Sequence, residues 1–105
     1  GPQFMEAARV MAAKLLATHQ DSPASLIEEA FQSFTNRFPG NREREVLLKL
    51  HAQQLAHYKA NPAQAKGLLG IGASPEAKGL PPHEVAAAAI LINTIMNLDE
   101  AVSKR

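Results

Sequence analysis

The sequence predicts an all-α fold, a small bundle of about five helices with one irregular Gly/Pro-containing loop before the last. Three observations carry this. Every periodic segment places apolar residues at helical spacing, and none alternates with period two. Breaks at Ser22-Pro23, Pro39-Gly40, Asn61-Pro62 and the stretch from Gly70 to Pro82 punctuate the chain. The run from Val85 to Met96 is greasy on nearly every side, and such a helix has to be buried.

The first helix is expected from about Pro2 to about Thr18, with Phe4, Ala7, Ala8, Met11, Leu15 and Thr18 on one face. Pro2 suits a first turn, and Glu6 lies near the positive end of the helix dipole. Asp21-Ser22-Pro23 is a break and then a cap, with Ser22 at the N-cap and Pro23 at the first helical position. The second helix runs to about Arg37 on a stripe of Ile27, Ala30, Phe31, Phe34 and Phe38.

Asn41 is expected to cap a third helix, Arg42 to about Ala60. Its buried face is Val46, Leu47, Leu50 and Tyr58, flanked by Leu55, and Glu45 and Lys49 form a small solvated ion pair at i,i+4. Asn61 caps a short helix from Pro62 to about Leu69. The irregular loop follows, with Ile71 and Leu80 available to pack, and the final helix spans about Pro82 to about Val102 as the most buried of the set.

The chain has 105 residues, enough for one domain. Its net charge is +1 with acids and bases interspersed, which argues against a nucleic-acid binder and gives no polybasic membrane anchor. The apolar run from Val85 to Met96 is shorter than the ~20 residues of a membrane span. Cysteine is absent, which excludes disulfides, thiolate-ligated zinc and a covalent c-type haem in this chain. Gly1-Pro2 fits both a protease scar and a native sequence, and we read the chain as a single helical domain cut from something larger.

Candidate chemistry is sparse. The imidazoles are His19, His51, His57 and His83. His51 and His57 stand six residues apart, about 120° in azimuth, whereas metal pairs on one helix want i,i+3 or i,i+4. They are therefore read as solvated surface residues, and no metal or cofactor is expected. Gly70-Ile71-Gly72 follows a helix rather than a strand and reads as a helix C-cap and turn, not a phosphate loop. Arg42-Glu43-Arg44-Glu45 reads as a solvated first turn. Asp99 and Glu100 are adjacent, point to different azimuths, and do not make a catalytic carboxylate pair.

An ordered set of stretches carries a family resemblance. They are Gly1-Pro2-Gln3-Phe4-Met5-Glu6-Ala7-Ala8-Arg9, Ala30-Phe31 leading to Thr35-Asn36-Arg37-Phe38-Pro39, and the positions Glu43, Leu47, Leu50, Gln53 and Tyr58. Leu68-Leu69-Gly70-Ile71-Gly72-Ala73-Ser74-Pro75 and the closing Ile95-Met96-Asn97-Leu98-Asp99-Glu100 complete it. The set resembles the C-terminal end of a large domain of unknown function found in planctomycete-type cytochrome c proteins. Two positions depart from that pattern. Asn36 stands where glycine is usual, and Asn tolerates the left-handed turn such a helix end needs. Ala101 stands where an aromatic often follows.

The resemblance implies a large, exported bacterial parent with an upstream cytochrome c-like haem domain, and hence an extracytoplasmic location. It supplies no catalytic residues. The expectation is a structural or interaction module whose partners are upstream domains or another protein. The alternative is a non-catalytic or substrate-contacting part of an extracytoplasmic enzyme, with polysaccharide as one candidate substrate. A pocket uniting Arg37, His51, Asp99 and Glu100 would favour the alternative. Asn97-Leu98-Asp99-Glu100 is expected to lock the last helix, with Leu98 buried and Asp99 or Glu100 reaching Arg9 or Arg37. Acids at a helix C-terminus are disfavoured by up to ~1 kcal/mol unless paired.

Overall fold

The computed structural model describes the backbone of residues 4–19 and 22–103 and the side chains of 4–18 and 22–98. Five helices follow one another: α1 (Met5–His19), α2 (Pro23–Thr35), α3 (Asn41–Ala60), α4 (Pro62–Leu69) and α5 (Pro82–Ser103). No strand occurs among the described residues. The expected start near Pro2 and the break at Asp21 lie outside them.

α5 is the axis of the bundle. It packs against all four other helices, most extensively against α1 and α3, while α2 bridges α1 and α3. Ala86, Ala87, Ala88 and Ala89 are all fully buried. Successive residues step by about 100°, so four in a row enclose the helix on nearly every side. Alanine lets neighbouring backbones approach closely there, and Leu91, Ile92 and Ile95 then fill the wider part of the core.

The predicted stripe of α1 is corrected by one residue. Met5, Ala8, Arg9, Ala12 and Leu16 are buried, whereas Ala7 and Thr18 are exposed and Phe4, Met11 and Leu15 lie at the margin. A smooth Ala8/Ala12 strip suits close approach to the alanines of α5, and the bulkier side chains fall to either side. On α2, Ile27, Ala30 and Phe31 are buried as expected and Leu26 joins them, but Phe38 lies beyond the helix end and is 66% exposed. On α3, Leu47 and Tyr58 are buried, while Val46 faces solvent.

The caps explain where the helices begin and end. Ser22 Oγ accepts the Ser25 N–H at 3.1 Å, with Pro23 at the first turn of α2. Asn36 ends α2 in the left-handed conformation at φ 61°, its N–H donating to the Gln32 carbonyl. The α3 cap is Gly40, not Asn41: the Gly40 N–H donates to Glu43 Oε1 at 2.8 Å. A carboxylate three residues into the helix thus satisfies the capping backbone from inside. Asn61 precedes α4 as expected, but its side chain donates back to the His57 carbonyl rather than capping α4.

The charge run that opens α3 is not merely solvated. Glu43 takes both Arg37 guanidinium nitrogens, at 2.7 and 2.8 Å. Arg44 reaches Glu28 of α2 at 2.9 Å. These are the two ion pairs among the described residues, and Glu45–Lys49 is not one. Arg37, and then the Gly40 N–H, pull the Glu43 carboxyl down to about pKa 2. Such a depressed acid stabilises the fold above its unfolded value near 4.5, and the contribution fades as pH falls toward 2. Glu43 is 39% exposed, so solvent screens the pair. Glu43→Gln is therefore expected to cost ~0.5–1 kcal/mol at pH 7. Urea unfolding across pH should show the difference from wild type shrinking between pH 4.5 and pH 2. A difference that stays constant over that window would place the effect elsewhere.

Candidate functional site

Two constellations bring polar side chains together. The first is a clasp between the first turns of α1 and the loop after α4. Glu6 and Arg9 stand three residues apart, on neighbouring positions of one helix face. Glu6 Oε2 accepts both the Ser74 N–H and the Ser74 hydroxyl, each at 2.8 Å. The Ser74 N–H, then its hydroxyl, hold the Glu6 carboxyl below the usual carboxylate range. Arg9, only 3% exposed, donates from Nε to the Ile71 carbonyl at 2.7 Å and from its terminal nitrogens to the carbonyls of Ser74 and Pro75.

Gly72 lies inside this clasp at φ 85°, and any side chain there would run into Glu6. Glycine is required both by the backbone conformation and by that close approach. Gly70 closes α4, its N–H donating to the Lys66 and Gly67 carbonyls, so the turn role expected for this segment is correct. The clasp joins residues more than sixty positions apart.

The second constellation is a cleft of about 270 Å³ where α1, α2, α3 and α5 meet. Leu16 of α1 and Leu26 of α2 contribute apolar wall. α3 presents His51, Leu55 and Lys59 at four-residue intervals, hence along one face. The first turn of α5 adds His83 and Glu84.

His51 corrects the surface reading: it is 6% exposed. It lies four residues after Leu47 and seven before Tyr58, on the buried stripe of α3. Burial lowers the His51 pKa, partly opposed by the Glu84 charge, and so favours the neutral imidazole. The other histidine of α3, His57, is exposed and pairs its Nε2 with Gln64 Oε1 at 2.8 Å. Among the described residues no group of three or more His, Asp or Glu side chains is arranged to hold a metal ion.

The residues expected to form one motif are separated. Arg9 is committed to the loop and Arg37 to Glu43. Asn97 donates to the Asn93 carbonyl one turn back, at 2.8 Å. Leu98, expected to bury, is instead 48% exposed. It stands seven residues after fully buried Leu91, almost the same azimuth, so it continues the buried face of α5 past the helices that cover it. The side chains of Asp99 and Glu100 lie outside the described residues. Residue 99 is fifteen positions from Glu84 along one helix, about 22 Å. Of the four residues whose shared pocket would favour the enzyme reading, the two with described side chains stand apart: Arg37 sits at the α2–α3 corner and does not line the cleft that holds His51.

No protein-family model, curated protein or solved structure matches the chain. No helix among the described residues is long and apolar enough to cross a membrane. The class defined by fold and sites together is a five-helix all-α bundle.

Proposed function

We propose that the chain is a structural or interaction module, a helical C-terminal subdomain of a larger exported protein that also carries a cytochrome c-like domain. Leu98 is the observation that carries the packing role. It lies on the buried azimuth of α5 yet is 48% exposed, so the apolar seam extends beyond what this domain covers. The partner is an upstream domain of the same protein or a second protein. The clasp supports the same reading, because Glu6 and Arg9 are engaged by the protein's own loop rather than turned to a ligand. A parent acting as an extracytoplasmic enzyme on polysaccharide ranks second, since Arg37 and His51 do not converge on one pocket.

The gene upstream of Gly1 tests the family part: a Cys-x-x-Cys-His segment is expected there, and its absence overturns the haem-bearing parent. The upstream region, expressed separately and mixed with this chain, tests the packing part. Association is expected by analytical ultracentrifugation, weakened about tenfold or more by Leu98→Lys, a loss of ~1.4 kcal/mol. Leu98 is exposed, so that variant leaves the isolated bundle folded. No association, or association indifferent to Leu98→Lys, overturns the module reading.

A further inference from the structure

We propose that the cleft between α1, α2, α3 and α5 binds a small aliphatic zwitterion of the amino-acid type. Its alkyl body would rest on Leu16, Leu26 and Leu55, its ammonium on Glu84 and its carboxylate on Lys59, with His51 meeting the head group.

His51 is the first ground. It is 6% exposed and lines the cleft, and among the described residues no protein group hydrogen-bonds its ring nitrogens. Those nitrogens are not sealed inside the protein, so what exposure the ring keeps is toward the cleft. A neutral imidazole offers one donor and one acceptor, so a head group reaching it from the cleft finds both. Among the described residues the cleft holds no group of three His, Asp or Glu side chains arranged as metal ligands.

The charges at the mouth are the second ground. Glu84 and Lys59 both line the cleft, and neither joins an ion pair among the described residues. A carboxylate alone would meet Lys59 but face the like charge of Glu84. An amine alone would meet Glu84 but face Lys59. Only a ligand carrying both signs satisfies both, and like-charge juxtaposition is the device by which sites reject wrong partners. Size is the third ground. About 270 Å³ is just under the range typical of small-molecule pockets and too small for a nucleotide cofactor. Three leucines then select an aliphatic body over a purely polar one.

This site lies at the opposite end of α5 from Leu98 and stands or falls independently of the packing role. Calorimetric titration of the whole chain with L-leucine, isovalerate and isoamylamine is the test. Leucine is expected to bind with Kd ~1 mM or tighter, and each singly charged analogue about tenfold more weakly. Glu84→Gln should erase the advantage of leucine over isovalerate, and Lys59→Met its advantage over isoamylamine. Both positions are at the rim, so circular dichroism should show both variants folded. The His51 ring signals should shift on titration in NMR spectra. No binding, equal binding of all three compounds, or binding unchanged in both rim variants overturns the proposal. Preference for isovalerate would make the site a carboxylate pocket instead, and preference for isoamylamine an amine pocket; either result also overturns it.

Discussion

Replacing Phe31 by alanine is expected to destabilise the protein by ~3–5 kcal/mol, the largest single loss foreseen here. Phe31 is among the largest fully enclosed side chains, at 2% exposure, and α2 touches α1, α3 and α5 around it. Deleting the ring removes its burial and leaves a cavity that rigid helices on three sides close only in part. The ring has a second role. The Arg37 guanidinium lies 4.9 Å from its centroid while gripping Glu43, so Phe31 supports the side chain that ties the end of α2 to the start of α3. Phe31→Leu keeps much of the volume but removes the π face, and should fall between wild type and Phe31→Ala. Small domains hold only ~5–15 kcal/mol in total, so the alanine variant should unfold at much lower urea with an unchanged slope. A loss below ~1 kcal/mol for Phe31→Ala would show that the α2–α3 corner does not depend on this ring.

Why was the helix order legible in the sequence while the faces were less so? Proline and glycine act through local sterics, so Ser22-Pro23, Pro39-Gly40 and Asn61-Pro62 mark boundaries that tertiary packing has no means to override. Asn36 adopted the left-handed turn for an equally local reason. A buried face is a property of neighbours. α1 offers apolar residues over a broad arc, and periodicity alone selected Phe4, Met11 and Leu15. Contact with an alanine-rich partner kept the expected Ala8 and added Met5, Ala12 and Leu16 in their place. Val46 and Leu98 show the same limit from the other side: an apolar residue buries only where another element arrives to cover it.

The candidate site was less legible than the fold, for reasons specific to its residues. The spacing of His51 to His57 bears only on metal binding, whereas its spacing to Leu47 and Tyr58 places it on the core stripe. That signal was present in the sequence. The clasp was not readable in the same way, because Glu6 and Arg9 lie 62 to 68 positions from the loop they hold. One observation gives partial notice, glycines in a loop that also holds apolar residues; of the two expected to pack, Leu80 lies against the core while Ile71 is exposed. The cleft needs four helices to meet, and one sequence does not state which ends meet.

The clasp yields the second large effect. Arg9→Met is expected to cost ~2–3 kcal/mol, because hydrogen bonds from a charged donor contribute ~1.5–3 kcal/mol net and methionine retains only the packing of the stem. The loss should stop short of the ~3–5 kcal/mol of a broken buried ion pair. Ile71 and Pro75 lie in an exposed stretch, where water can take over their carbonyls once the guanidinium is gone. Arg9→Lys keeps the charge but not the fork that reaches three carbonyls, and should recover only part of the loss. At roughly 4–8 °C per kcal/mol, thermal unfolding should register Arg9→Met as a drop of ~10–20 °C. Hydrogen exchange then separates a local from a global effect. The Ser74 amide, bonded to Glu6, should lose protection in Arg9→Met before amides of α3 and α5 do, because Arg9 holds the same loop from the other side. If Ser74 keeps its protection while Tm falls, Arg9 supports α1 through packing alone and the loop is held by Glu6.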